Sequence, residues 1–420
     1  MPFAKPKNDD FVRSPISANR FILRQCGVRS GMPPSSGLAS LDLGLLTKSS
    51  EKRPSMKPSN HGVRRTNVLG NADGVAILVA IGVVAVLLTA GLALNQRIRG
   101  SVVEAALARD ALVLSEMAAS GIHAAEVMLI NDRRENQTDT LQEDWADPEK
   151  VAEWIALIPF EDGTVEVAIA DERGKIQVNA LVKFPEGRQF IASQRSLWER
   201  LLNRLFSMFE EPPDADSNTI INSLKDWMDK ADDDAITGLS GAESDYYEGL
   251  DPPYSCKNGP VDHLGEVALV QGVTPELFYG AGGVAGLSSL LTVHGVSEAK
   301  DGQFTYDGKI NISTADVAVL GALLPEESDD LAGALADFRT AKSDETYTNN
   351  ITGKTWYKSV PGAGGVTIDS DLIAVASDLF RISSTAKRNN RSLTVEAVVH
   401  REKDSDTGKW ICKTLIWQAE

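Results

Sequence analysis

Hydrophobic and polar positions follow three different rhythms along this 420-residue chain, and each rhythm marks a different kind of element. The first is an unbroken apolar run, Val75 to Leu94, twenty residues without a charge. At about 1.5 Å of rise per residue it reaches about 30 Å, the thickness of a bilayer's hydrocarbon core. A buried core helix normally keeps a polar stripe, and this run has none, so it predicts a membrane-inserting helix. The second rhythm is helical. Ile98, Val102, Ala105 or Ala106, Leu112, Met117, Ile122 and Val127 recur at helical spacing, with Arg99, Glu104, Arg109, Asp110, Glu116 and Glu126 between them. Together the two runs predict one helix from Val75 to about Asn131, on the order of 85 Å long, with Gly100 and Gly121 as places to bend.

The third rhythm has period two. Gly163–Ala170 alternates apolar and polar residues like a half-buried strand. Asp171–Gly174 reads as a turn and Lys175–Val178 as the returning strand, which predicts a hairpin. Helical texture resumes with Leu197, Leu201, Leu202, Leu205, Phe206 and Phe209, then with Ile220, Ile221, Leu224, Trp227 and Met228, then with Leu264–Val270. Strand signals return at Leu379–Ser383, Ser392–His400 and Lys409–Trp417, joined by short loops that imply an antiparallel sheet. The order helix, sheet, helical insertion, sheet is an α+β architecture. It divides the chain into a leader or disordered segment 1–74, a membrane helix 75–94, a helix with first strands at 95–189, an inserted α-helical domain at 190–305, and linker helices with the remaining strands at 306–420. Two echoing segments, Gly174-Lys-Ile-Gln-Val-Asn-Ala-Leu181 and Gly308-Lys-Ile-Asn-Ile-Ser-Thr-Ala-Asp316, flank the insertion and read as its two seams, with Asn179, or Ser313 and Thr314, available as helix N-caps.

Charge sharpens this division. Residues 1–74 hold 12 basic and 5 acidic side chains, whereas the chain after Leu94 holds 30 basic and 54 acidic. The positive-inside rule therefore places the N-terminus in the cytoplasm and the acidic body across the membrane. A secretory signal would have a shorter apolar region and a small-x-small site after it, not Asn95-Gln-Arg-Ile-Arg99. Residues 1–55 show no sustained period, and Met56 is a sensible start that leaves a 19-residue leader ending at Gly74. An acidic body is a poor partner for nucleic acid, because phosphate binding depends on Lys and Arg displacing counterions. Three cysteines (Cys26, Cys256, Cys412) without C-x-x-C spacing exclude a disulfide scaffold, a zinc ribbon and a thioredoxin-type site.

The densest chemistry is acidic. Asp226, Asp229, Asp232, Asp233, Asp234, Glu243, Asp245, Glu248 and Asp251 place nine carboxylates within 26 residues. Two readings stand side by side: a solvated acidic loop, or a Ca²⁺ site, since Ca²⁺ takes six to eight hard oxygen ligands from flexible loops. The spacing is not that of an EF-hand, and the lack of histidine in the cluster disfavours zinc. Five scattered histidines and the absence of G-x-S-x-G, H-E-x-x-H and Walker A motifs leave no catalytic constellation. Gly280–Gly286 reads as a flexible loop. The helix–turn–helix pieces Val267–Leu277 and Ser313–Pro325 resemble hairpins of DNA-binding modules, but their flanks are acidic, and helix packing explains them.

Several rare local patterns occur in one order: Gly74-Val-Ala-Ile-Leu, Ile169–Leu181, Asp226-Trp-Met-Asp229, Gly241-Ala-Glu-Ser-Asp-Tyr-Tyr247, Pro252-Pro-Tyr254, Lys257-Asn-Gly-Pro260, Val270–Tyr279 and Lys309–Ala315. From Gly74 to Glu420 the chain resembles protein K of the general secretion pathway, the large minor pseudopilin of the bacterial type II secretion system. The resemblance implies a pilin-like long N-terminal helix packed on an antiparallel sheet, with a large α-helical domain inserted in the sheet. It implies cleavage by a prepilin peptidase between Gly74 and Val75, methylation of the new terminus, and an inner-membrane location with the C-terminal domain in the periplasm. The partners it implies are minor pseudopilins I and J, H as a further one, and the major pseudopilin. It makes the protein non-catalytic, set at the pseudopilus tip, and it favours structural calcium in the acidic loop. Asp229, Asp232, Asp233, Glu243 and Asp245 are the expected ligands, with Asp226 as a weaker one. Two departures are visible: Ala72-Asp73 where a basic residue usually precedes the cleavage Gly, and Ala231 where an Asp is expected. The competing class is a membrane-anchored periplasmic enzyme or DNA receptor. The first would need a convergent His, Ser or Cys set and the second a basic face.

Overall fold

A computed structural model of the chain describes residues 72–210, 214–230, 236–298, 304–328 and 330–419. Contacts divide the chain into Met1–Ala80 and Ile81–Glu420. In the first unit the described part is the start of helix α1. The expected leader before residue 72 lies outside the described residues. Helix α1 runs from Ala72 to Glu135, a few residues longer at each end than its periodicity predicts. It is the one described helix long and apolar enough to cross a membrane, and the side chains of its apolar run are exposed.

Everything else lies within the second unit, where two separate apolar cores form. The first is built on α1. Leu114, Met117, Ala118, Ile122, Ala125, Met128 and Leu129 recur every three or four residues, which puts them on one face of the helix. That face packs on Phe380, Ile382, Ala386, Val395, Ala397 and Val399 of a four-stranded sheet. Helix α2 (Pro148–Ile155) joins this core beside α1, N-capped by Asp147, with the Trp154 indole donating to Ala124 O at 3.0 Å. At Gly121 a Cβ would sit 2.3 Å from Ser384 Oγ and 2.8 Å from Val165 Cγ1, so glycine permits the close approach of helix to sheet.

The sheet contains β1 (Thr164–Asp171), β6 (Leu379–Arg388), β7 (Arg391–Lys403) and β8 (Trp410–Ala419), antiparallel in the order β1-β6-β7-β8. The three strands at the C-terminal end match their predicted segments. β1 pairs with β6, Thr164 opposite Lys387 and Asp171 opposite Phe380, so more than 200 residues of chain are threaded between neighbouring strands. The predicted hairpin at Asp171–Val178 does not form. Glu172–Gly174 is a 3₁₀ turn, and β2 (Ile176–Gln177) leaves the sheet to pair in parallel with β3 (Leu291–Thr292). The reason is burial: Ile176 and Val178 are fully enclosed in the second core.

That second core is the inserted domain. It collects buried side chains from Ile176 to Ile373, so residues beyond 305 also pack in it. Its frame includes α3 (Ala192–Met208), α4 (Ser217–Met228), α5 (Ser244–Glu248), α6 (Val317–Leu323) and α7 (Leu331–Thr340). Of the two echoing segments expected as its seams, the first stands where the chain enters this core from β1, but the second lies inside the core, with α6 and α7 following it. β2 pairs with β3, and β4 (Ile310–Asn311) pairs in parallel with β5 (Ile373–Ala374). In both segments a strand amide, Gln177 or Asn311, accepts from the backbone N–H two residues on, at 2.9 and 3.1 Å. The expected caps are otherwise employed: Asn179 pairs with both backbone groups of Val261, Thr314 donates to Asp171, and Asp316 caps α6. Gly280–Gly286 contains a short hairpin, Gly280–Ala281 with Val284–Ala285.

Candidate metal centre

Helix α4 delivers the acidic cluster. Asp216 caps its N-terminus through Thr219 N at 2.7 Å, and its last two turns are buried. Trp227 anchors that end against the rings of Tyr247 and Tyr254, at 5.1 and 6.3 Å, and Tyr254 stacks on Tyr247 at 5.4 Å. With Trp227 turned into this aromatic box, its neighbour Asp226 and the C-cap Asp229 point to one side, towards the loop that ends in Glu243. All three carboxylates are buried, and one oxygen from each lies within 4.8 Å of the others.

The surroundings fix these groups closely. Asp226 Oδ2 accepts from Thr237 N at 2.9 Å and Oδ1 from the Thr237 hydroxyl. Burial raises the Asp226 carboxyl above the usual carboxylate range, more than those hydrogen bonds lower it. Lys225, itself buried, donates to Asp229 Oδ2 at 3.0 Å and to Thr237 Oγ1 at 2.7 Å, and its Nζ lies 3.6 Å from Asp226 Oδ1. Gly241 must be glycine, because a Cβ would stand 2.0 Å from Asp226 Oδ2.

Asp226, Asp229 and Glu243 crowd three carboxylates round the Lys225 ammonium, and a divalent cation would offset acidic charge held this close. The donors are hard oxygens. The nearby thiol of Cys256, pushed up to about 12 by burial, donates to Asp226 O at 3.5 Å and is outside the carboxylate group. That donor set fits Ca²⁺ better than zinc. Of the predicted ligands, the structure brings together Asp226, Asp229 and Glu243. Asp245 is exposed on α5, its Oδ1 accepting from Tyr246 N at 2.9 Å, outside the group. Asp232 and Asp233 lie outside the described residues. Sequence reasoning missed Lys225 and Thr237; an ammonium directly beside Asp226, next to the apolar Trp227 and Met228, was the signal available for the first. Cys256 and Cys412 are both free, in different cores.

Comparison with known proteins gives these sites a setting. Residues 174–280 match the family model described as "Type II secretion system (T2SS), protein K". The chain is 28% identical over 124 residues to Type II secretion system protein K of Aeromonas hydrophila, covering 29% of this chain and 37% of that protein. It is 25% identical over 207 residues to Type II secretion system protein K of Klebsiella pneumoniae, covering 49% and 59%. The matches thus span less than two thirds of these relatives. The fold is shared, at a TM-score of 0.51 and 18% identity over 74% of this chain and 97% of the other, with a chain from the crystal structure of the GspK–GspI–GspJ complex of the enterotoxigenic Escherichia coli type 2 secretion system.

Proposed function

We propose that this chain, a member of the type II secretion system protein K family, works without catalysis as the subunit that starts a pseudopilus at its tip and limits its length. The observation that carries this reading is the placement of the insertion. A large folded domain rides between β1 and β6 of a pilin-like body, and such bulk obstructs a further subunit stacking beyond it.

Two features of α1 support the same role. After cleavage at Gly74, Val79 would be the fifth residue, where pilin-type subunits usually carry a Glu that meets a neighbour's charged terminus. Without that carboxylate the subunit need not dock on one ahead of it, and no charge has to be held in hydrocarbon. Beyond the membrane run, Ile98, Val102, Val103, Leu107 and Leu112 are exposed on α1. A helix this apolar in water needs a cover. In the proposed assembly the cover is the helices of minor pseudopilins I and J, with H and the major pseudopilin behind them. The N-terminus would be cytoplasmic, processed by prepilin peptidase and methylated, with the body in the periplasm. Ca²⁺ at Asp226, Asp229 and Glu243, completed by Asp232 and Asp233, would hold the acidic loop in shape.

Cysteine crosslinking in cells decides the matter. Leu112→Cys should trap the other minor pseudopilins at one copy per filament. Crosslinks repeated along the shaft would overturn the tip assignment, as would normal secretion after deletion of the gene.

A further inference from the structure

A second group of carboxylates lies far from α4 in the chain, where α1 ends. Asp132, Asp139 and Glu143 bring oxygens within 4.8 Å of one another. They line or adjoin a cavity of about 580 Å³ that also includes Glu135, Thr140, Asp144, Trp145, Trp154 and Thr352. Here the protein already supplies the cation. Arg401 of β7, fully enclosed, donates to Leu129 O at 2.8 Å, Asp132 Oδ2 at 3.2 Å, Ser377 O at 2.9 Å and Asp139 Oδ1. Arg133 stands 3.9 Å from Asp139. Glu143 is left to neutral donors, the Trp145 indole at 2.7 Å and the Thr140 hydroxyl at 3.2 Å.

The segment carrying Glu143 also ties the end of α1 to the inserted domain. Gln142 donates to Arg339 O at 2.8 Å and Asn349 O at 3.0 Å, and Tyr347 donates its hydroxyl to Leu141 O at 3.1 Å. On the other side Asp139 N donates to Val375 O at 2.9 Å. We propose that Glu143 is a proton-operated latch, which holds this segment closed while its carboxyl is neutral and releases the inserted domain's grip on α1 when it ionises.

The electrostatics run in that direction. Burial first, and then the charges of Asp132 and Asp139, push the Glu143 carboxyl up to about 8, against the lowering effect of the bonds it accepts from Trp145 and Thr140. The other charged groups of the cavity are Glu135 on α1 and Asp144 on the segment itself, and Arg133 of α1 and Arg401 of β7 reach the group through Asp139; α2 and the 350–353 stretch contribute only Trp154 and Thr352 to the lining. The closed state keeps its proton up to about pH 8, whereas the released carboxyl gives it up near the ordinary 4.5. Closure is therefore fully favoured below about pH 4.5 and weakens as pH rises to about 8. One proton's linkage makes the opening constant grow by up to about tenfold per pH unit in that window, and level off above it.

Hydrogen exchange on the detergent-solubilised full chain, from pH 5.5 to 9 and corrected for intrinsic exchange, tests the latch at the amides of Asp139, Glu143 and Ala146. Protection should fall with that slope in the wild type and stay flat in Glu143→Gln, whose neutral amide imitates the protonated state. Asp132→Asn removes a neighbouring negative charge and should move the levelling-off to lower pH, a displacement that a merely structural role would not produce. A flat wild-type profile, or an unchanged slope in a folded Glu143→Gln, overturns the proposal. Should Glu143→Gln fail to fold, an unchanged levelling point in Asp132→Asn overturns it instead.

Discussion

The two carboxylate triads each gather three acidic groups within 4.8 Å and solve the problem of crowded charge differently. At Asp132, Asp139 and Glu143 a guanidinium fills the space, because Arg401 offers a planar fork that meets two carboxylates and two backbone carbonyls together. At Asp226, Asp229 and Glu243 the internal cation is Lys225, a single ammonium that bonds to Asp229 and Thr237 on one side of the group. The first triad is braced by its own chain at Asp132 and Asp139. The second offers hard oxygen donors of the kind that suit an external divalent ion. Carboxylate count therefore says less about metal binding than the shape of the nearest cation does.

Removing each cation should separate the two. Arg401→Met takes the closest cation from buried Asp139, leaving Arg133 at 3.9 Å, and should destabilise the folded chain by about 3–5 kcal/mol, read as a shift in denaturant midpoint that calcium does not restore. An effect under about 1 kcal/mol would mean that the first triad is not held by Arg401. Calcium at a hundredfold excess over Kd should raise stability by about 2.7 kcal/mol, as melting in calcium against chelator would record. Glu243→Ala should abolish the difference, and identical melting curves for the wild type in both conditions would reduce the second triad to a buried acidic loop. Lys225→Met should cost about 2 kcal/mol in chelator, by stripping a charged donor from Asp229 and Thr237. That penalty should shrink in saturating calcium; an equal penalty in both conditions would show that ion and ammonium do not share the site. Asp245→Asn should change the calcium response by less than about 0.5 kcal/mol, since its side chain is exposed away from the triad.

Local pattern announced some of this and topology hid the rest. The apolar run and the a-to-d spacing of α1 are properties of neighbouring residues, so the helix is readable, as are the three consecutive strands after Leu379. Ile176 looked like the return arm of a hairpin because β1 precedes it, but its partner is Leu291, and parallel pairing across such a separation leaves no mark in either segment. Asp245 follows Glu243 at a spacing that suits a ligand loop, yet the turn of α5 directs it outward. Asp226 stands in the buried part of an amphipathic helix, where only the packing of Trp227 on Tyr247 shows which way its carboxylate turns. The triad with Arg401 joins residues more than 250 positions apart, and no motif encodes it.

The threading of the inserted domain between β1 and β6 also sets an order of events during synthesis. The pairing of Asp171 with Phe380 closes a very long loop, and the entropy of closing it is reduced once the intervening chain has condensed and brought its two ends together. The insertion, which has its own core and its own internal strand pairings, is thus suited to fold first. The apolar face of α1 must wait for β6, β7 and β8, which emerge long after it. The helix is made well before its core is completed, and during that interval its bare core face is open to aggregation or to capture by a chaperone.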